Sequence, residues 1–157
     1  MKTGKSLLLL AALTCFGLLG FALYLQHGLQ MQPCPLCVIQ RYVFAGVALA
    51  CLIALLLPRG GARAVSVLAA LGALGGAGVA GWHIYVKANP TVSCGIDPLE
   101  TALNRIPTAE LLPFLFKADG LCSADYAPIL GLSIPQWSLV WFVILAIGLA
   151  WNSLRRA

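Results

Sequence analysis

Long apolar runs separated by short polar stretches dominate this chain. A helix needs about 20 apolar residues to cross the hydrocarbon core of a membrane. Four runs reach that length, over residues of about 6–25, 38–57, 64–86 and 134–152. They are apolar all round, whereas a surface helix would show a polar stripe and a strand would alternate polar with apolar positions. The pattern predicts an all-α integral membrane protein, a bundle of four transmembrane helices in a single domain.

Composition supports the membrane assignment. Of the 157 residues 61% are hydrophobic and 10% are charged, which leaves too few charges for the surface of a soluble domain. The first run follows Lys2 and Lys5 as a signal peptide would, but it is longer than a signal core and lacks an A-x-A-like cleavage site. The residues before Cys15 make a poor lipoprotein signal, so we expect this run to remain as a span.

The distribution of charge predicts the orientation of the bundle. Six of the ten basic residues flank the spans at three places that share one side of a four-span bundle: Lys2, Lys5, Arg59, Arg63, Arg155 and Arg156. By the positive-inside rule that side is cytoplasmic, and both termini lie there. A short loop of about 26–37 and a long loop of about 87–133, which holds all five acidic residues, are then periplasmic. The net charge of +5 reflects this orientation and gives no support to nucleic-acid binding.

Two segments carry local structural signals. In the long loop, residues 108–117 (TAELLPFLFK) predict a short helix kinked at Pro113, which either lies on the membrane surface or folds onto the bundle. In the third span, Gly72 and Gly76 have the GxxxG spacing that lets membrane helices approach closely. We expect these glycines to pack inside the bundle, with dimerisation as the alternative.

The six cysteines fall into two groups. Cys15 and Cys51 lie within spans, where a thiol behaves as a small apolar group. The others form two pairs in the two loops on the outer face, which is the oxidising side in a bacterium: Cys34 and Cys37 in the short loop, Cys94 and Cys122 in the long loop. Three interpretations are open: two structural disulfides, a zinc site with four thiolates, or a redox relay. Zinc is disfavoured because the second pair is 28 residues apart.

The surroundings of the first pair favour the relay. A Cys-x-x-Cys bridge closes a very small loop, so it stabilises a fold little, but such pairs are good redox centres. Arg41 follows Cys37 by four residues and shares its helix face if the second helix begins near Cys37. Its guanidinium and the helix N-terminus would both favour a thiolate. An arginine that only anchors the chain at the interface is the alternative.

At these residues the chain resembles the disulfide bond formation protein B (DsbB) family of bacteria. The resemblance covers nearly the whole chain, and its most specific parts are PCPLCVIQR at 33–41 and GLSIPQWSL at 131–139. It implies an inner-membrane thiol–quinone oxidoreductase. Such an enzyme reoxidises the periplasmic dithiol oxidase DsbA and passes the electrons to ubiquinone or menaquinone.

The resemblance also implies a role for each loop cysteine. Cys94 would form the mixed disulfide with DsbA, and Cys122 would be its resolving partner. Cys122 would then attack Cys34, which frees Cys37 as a thiolate beside the quinone, in a charge-transfer contact stabilised by Arg41. No metal is expected at this site.

The family also carries a histidine near the quinone, and His83, eleven residues before Cys94, matches its placement. An interfacial histidine bonded to backbone or water is the alternative for His83. The chain departs from the family at Leu111 and Leu112, where relatives often carry an aromatic residue, and this departure concerns the shape of the DsbA-docking surface more than the chemistry.

Two other functions are compatible with four spans and two cysteine pairs. A relay like that of vitamin K epoxide reductase has its loop pair before the Cys-x-x-Cys, whereas here Cys34 and Cys37 come first. A non-catalytic four-span protein with two loop disulfides would keep its bridges when the oxidant is withdrawn. A relay would accumulate thiols under the same conditions.

Overall fold

A computed structural model describes residues 2–89, 91–92 and 96–155. Within these residues the chain is helix and loop apart from one antiparallel bridge between Ile129 and Leu132. The helices are α1 Lys2–Gly28, α2 Pro35–Leu56, α3 Arg59–Ala88, α4 Ile96–Asn104, α5 Pro107–Leu111, α6 Pro113–Phe116 and α7 Ile134–Arg155. Among the described residues four helices, α1, α2, α3 and α7, are long and apolar enough to cross a membrane. The predicted fold class is confirmed.

The long helices extend beyond the apolar runs that predict them. The α1 helix covers Lys2–Gly28 and α3 covers Arg59–Ala88, so both continue through polar residues at their ends. The α2 helix begins at Pro35, before the expected start near Val38. Proline is well suited to the first turn of a helix because it has no N–H to leave unpaired there. The ends of these helices therefore contain polar residues that lie outside the apolar runs.

Helix α3 forms the centre of the bundle. It packs extensively against α7 and α2, while α1 packs against α2 and more lightly against α7. The Phe44 and Phe142 rings stack with centroids 4.0 Å apart in the core. A Cβ placed on Gly76 would lie 2.5 Å from the Phe142 ring, so only glycine leaves room for that ring. Gly76 thus serves packing inside the bundle, as expected.

The long loop folds onto the outer end of α2. Residues 108–117 form the two short helices α5 and α6, which break at Leu112 immediately before Pro113. The Tyr42 ring of α2 stacks on Phe116 with centroids 4.1 Å apart, and the Tyr42 hydroxyl lies 2.6 Å from the Thr108 hydroxyl. The segment thus contacts the bundle through Tyr42, while Leu111 is exposed.

Candidate redox site

The backbone at the start of α2 brings two cysteine sulfurs together. Cys34 is the extended residue that precedes the helix, and its Sγ accepts a hydrogen bond of 3.4 Å from the Cys37 N–H. The Val38 N–H donates to the Cys34 carbonyl at 3.0 Å and closes the first turn. Both cysteines are thiols here, and the Cys34 Sγ donates to the Cys37 Sγ at 3.1 Å. A capping position and the first turn of the helix thus hold the pair in contact.

The two sulfurs of this pair are not equivalent. The pKa of the Cys34 thiol is raised, first because it donates a hydrogen bond to Cys37, and second because it is buried. Cys34 therefore holds its proton, and the Cys37 sulfur is the acceptor. Cys37 also lies in the first turn of α2, where unpaired backbone N–H groups give a partial positive charge. The arrangement places any negative charge of the pair on Cys37.

His83 of α3 contacts both sulfurs. Its Nε2 lies 3.6 Å from the Cys34 Sγ, and its Nδ1 lies 4.0 Å from the Cys37 Sγ. The side-chain amide of Gln40 lies 3.4 Å from the same Nδ1. His83 and Gln40 are both buried, with 4% and 3% of their surface exposed. Among the described residues, the side-chain contacts of this histidine are therefore with the cysteine pair and with Gln40.

Arg41 is fixed by three acceptors, two on α1 and one on α6. Its Nη1 donates to the Gln26 Oε1 of α1 at 2.6 Å and to the Leu115 carbonyl of α6 at 2.8 Å, and its Nη2 donates to the Ala22 carbonyl at 3.4 Å. The residue is 7% exposed. Among the described residues its hydrogen bonds go to these groups and not to Cys37. Arg41 nevertheless lines the same cavity as Cys37.

That cavity has a volume of about 320 Å³ and lies at the outer end of the bundle. Cys34 and Cys37 line it together with polar residues that include Gln40, Arg41 and His83. Apolar side chains of α1, α2 and α7 form much of the remaining wall, among them Leu18, Phe21, Phe44 and Trp141. The cavity thus combines an apolar body with a few converging polar groups, which is typical of a small-molecule site.

A segment of the long loop brings Cys122 to the same place. Cys122 is disulfide-bonded, 3% exposed, and belongs to one buried cluster with Cys34. The N–H groups of Asp119 and Gly120 both donate to the Pro33 carbonyl, at 3.1 and 3.0 Å. This contact holds the segment directly against the residue before Cys34. Cys94 lies outside the described residues.

Comparison with known proteins decides the family. The sequence model of the family described as disulfide bond formation protein DsbB matches residues 4–152. The chain belongs to the DsbB family. It is 61% identical over 156 residues to the Disulfide bond formation protein B of Herminiimonas arsenicoxydans, with 99% of each chain covered. The protein of that name from Ralstonia nicotianae is 49% identical, over 97% of this chain and 95% of the relative. The Disulfide bond formation protein B 1 of Pseudomonas putida is 46% identical, over 91% of this chain and 86% of the relative.

Membership of the DsbB family makes this chain a multi-pass membrane oxidoreductase of disulfide bond formation. The structure brings Cys34, Cys37, Arg41, His83 and Cys122 to one cavity, and Cys122 shares a buried cluster with Cys34. Cys15 and Cys51 are free thiols buried in the bundle, away from this cavity lining.

Two polar residues of this DsbB-family site were not expected from the sequence. Gln26 anchors Arg41 and Gln40 bonds His83, and both are buried. Each had a signal in the sequence, since each is an uncharged polar residue at the lip of an apolar run. Buried polar groups need partners, so such residues are candidates for bonds to charged or redox groups.

Proposed function

We propose that this DsbB-family protein is a thiol–quinone oxidoreductase of the bacterial inner membrane. It reoxidises a periplasmic dithiol oxidase of the DsbA type and passes the electrons to ubiquinone or menaquinone. Both termini lie in the cytoplasm and the cysteine loops lie in the periplasm. The positive-inside rule supports this orientation, because the basic residues cluster at the opposite ends of the helices from the cysteine loops.

One observation carries the proposal. The Cys34–Cys37 thiol pair opens on an apolar cavity next to Arg41 and His83, and the disulfide-bonded Cys122 lines the same cavity and belongs to one buried cluster with Cys34. A second sulfur centre and a chamber for a small lipophilic molecule therefore meet at this pair. A structural pair of cysteines would need neither neighbour.

The cavity suits a quinone ring. Its volume of about 320 Å³ is at the lower end of small-molecule sites, and its apolar walls match a ring and the start of an isoprenoid tail. A bound quinone would accept two electrons and two protons there. Three of the five guanidinium N–H groups of Arg41 are used in its bonds to Gln26, Leu115 and Ala22. The remaining two can donate to a quinone oxygen.

Thiol–disulfide exchange between the two cysteine pairs carries electrons from the partner protein to Cys34 and Cys37. A thiolate of the partner attacks Cys94 and displaces Cys122. Cys122 attacks Cys34 and displaces Cys37 as a thiolate, which faces the cavity. When the partner closes its own disulfide it releases Cys94, and Cys94 then attacks Cys122 and releases Cys34. The inner pair has then gained two electrons and the outer disulfide is restored.

The neighbouring groups serve this transfer. The thiol of Cys34 donates to the Cys37 sulfur, so the displaced Cys37 thiolate keeps a hydrogen bond. His83 lies within 4.0 Å of both sulfurs and can hold a proton between the pair and the cavity. Gln40 fixes the orientation of the imidazole ring through its contact with the Nδ1.

The test is turnover of the purified protein with a reduced thioredoxin-fold dithiol oxidase and a quinone, followed by quinone absorbance. We expect Cys34→Ser and Cys37→Ser each to abolish quinone reduction. Cys94→Ser should remove oxidation of the partner while quinone binding remains. The proposal is wrong if the unmodified protein oxidises the partner at the same rate after all quinone has been removed.

A further inference from the structure

We propose that the reduced Cys34–Cys37 pair and His83 form a binding site for a thiophilic divalent cation such as Zn²⁺ or Cd²⁺. This cation would block reoxidation of the pair. The binding itself needs only the two thiols and the imidazole. The inhibitory consequence rests on the proposed function. The site differs from the four-thiolate arrangement considered from the cysteine count, because its third ligand is a histidine.

The Cys34 sulfur and the His83 Nε2 already lie at the spacing of two ligands in a tetrahedral site. One atom from each of Cys34, Cys37 and His83 falls within 4.8 Å of the others. With Zn–S near 2.3 Å and Zn–N near 2.0–2.1 Å, a tetrahedral site has S···N edges of about 3.6 Å and an S···S edge of about 3.8 Å. The Cys34 Sγ to His83 Nε2 distance is 3.6 Å, and the two sulfurs are 3.1 Å apart. Small side-chain rotations that separate the sulfurs would complete the site.

The hydrogen-bond partner of His83 suits a metal ligand. A histidine that binds a metal through one ring nitrogen usually donates the other N–H to an oxygen. The side-chain amide of Gln40 lies 3.4 Å from the Nδ1 of His83, and this amide can turn to present its oxygen there. The Nε2, which faces Cys34, is then free to bind the cation.

The charge of the site also suits a dication. Two thiolates neutralise one Zn²⁺, so the complete unit buries no net charge, and binding releases the thiol protons to water. The nearest cationic side chains on the cavity wall are Arg41 and Lys87. Arg41 is directed to Gln26 and to backbone carbonyls, and Lys87 pairs with Asp125 at 3.4 Å. The fourth coordination position faces the cavity and can take a water, as in zinc sites with two cysteines and one histidine.

The experiment measures equilibrium binding to the full-length protein in detergent, with no quinone and no partner protein present. Cd²⁺ is the probe, since it gives an ultraviolet thiolate-to-metal absorption band. The protein has all cysteines other than Cys34 and Cys37 replaced by alanine, so that only this pair can respond. We expect one Cd²⁺ per reduced protein, none on the oxidised protein, and no response to Mg²⁺.

Two histidine variants identify the third ligand. His83→Gln should lower the affinity for Cd²⁺ at least about tenfold, because even the outer partners of metal ligands are worth about 10–100-fold in affinity. His27→Gln is the matched control, since His27 is exposed and its ring contacts the Phe114 carbonyl at 3.3 Å, away from the cysteine pair. It should leave the affinity unchanged. Equal binding by reduced and oxidised protein, or an unchanged affinity in His83→Gln, would overturn the proposal.

A second measurement uses the protein with all its cysteines. Zn²⁺ should slow maleimide alkylation of Cys34 and Cys37 in the reduced protein at least about tenfold, as read by peptide mass spectrometry, because bound thiolates are no longer free nucleophiles. A chelator should restore the rate, and alkylation of both residues at the same rate with and without Zn²⁺ would contradict the site. No quinone takes part in this measurement. Its result therefore does not depend on the result of the turnover test of the proposed function.

Discussion

The proton of the Cys34 thiol lies between two sulfurs because of the way in which α2 begins. Pro35 starts the helix, so the residue before it is extended and the Cys34 sulfur turns back towards the first turn. There it accepts from the Cys37 N–H and donates to the Cys37 sulfur. A Cys-x-x-Cys at a helix start thus separates the pair into a thiol donor and a sulfur acceptor.

This asymmetry predicts how Cys34 titrates in the reduced protein. Its pKa is raised, chiefly by its hydrogen bond to Cys37. The pH at which its alkylation reaches half the maximal rate should therefore lie above about 8.5, the ordinary pKa of a cysteine thiol. In Cys37→Ala the acceptor is lost, and the midpoint should move down towards the ordinary value, although burial keeps it somewhat raised. Peptide mass spectrometry across a pH series measures both midpoints. Identical midpoints would show that the hydrogen bond does not set the pKa.

Arg41 depends on three acceptors, and this gives a second prediction at the residue scale. Lysine keeps the charge but cannot bond Gln26 and the Leu115 carbonyl while also reaching the cavity. A hydrogen bond to a charged group contributes about 1.5–3 kcal/mol, so Arg41→Lys should raise the KM for quinone about tenfold or more, with a smaller change in kcat.

Two further substitutions test this account of Arg41. Gln26→Leu should raise the KM in the same direction, because it removes the anchor of the guanidinium and leaves the charge in place. Arg105→Lys changes an exposed arginine of the same outer face and should have no effect. If Arg41→Lys keeps the original KM, the guanidinium does not bind the quinone.

At the scale of elements, the hydrophobic pattern predicts which segments cross the membrane but not how their ends meet. The four long helices follow from continuous apolar runs, because only a helix pairs all its backbone groups within lipid. The placement of His83 against Cys34 depends on the register between α2 and α3, which no local pattern specifies. Gln26 reaches Arg41 only because α1 packs beside α2. The site residues with chemical signatures were therefore predictable, and their partners were not.

The contact of α3 with α7 gives a prediction for the bundle. Gly76→Ala would place a methyl group against the fully buried Phe142 ring, and overpacking of this kind destabilises by about 1–3 kcal/mol. Gly75→Ala is the matched control on the same helix, since a Cβ there meets nothing within 4 Å. It should be neutral or slightly stabilising. Thermal unfolding in detergent compares the two variants, and equal unfolding temperatures would argue against close packing at Gly76.

At the scale of the whole molecule, two separate loops form one structural unit because their backbones bond directly. The segment after α6 donates two N–H groups to the Pro33 carbonyl, and the Tyr126 hydroxyl donates to the Gln32 carbonyl at 3.3 Å. The same segment carries Cys122 into the cluster of Cys34. The junction between the loops thus places Cys122 and Cys34 together at one end of the four-helix bundle.

At that junction Gly120 packs so closely against the other loop that it leaves no room for a side chain. Its substitution gives the last prediction. A Cβ there would overlap the backbone carbonyl of Gln32, which cannot move as a side chain could. Gly120→Ala should therefore push Cys122 away from Cys34 and slow oxidation of the partner dithiol about tenfold or more, since misplacement by about 1 Å can cost 100-fold in rate. Reduction of quinone by a small dithiol that reaches Cys34 and Cys37 directly should change little.

The control removes a different contact of the loop segment that follows α6. Asp125→Asn breaks the ion pair with Lys87, in which the Asp125 side chain is 93% exposed. Exposed ion pairs contribute about 0–1 kcal/mol, so partner oxidation should stay near the original rate. Stopped-flow measurement of both reactions for each variant separates the two cases. If Gly120→Ala slows both reactions equally, the glycine supports the fold as a whole. A loss confined to partner oxidation would place the internal exchange step at this contact between the loops.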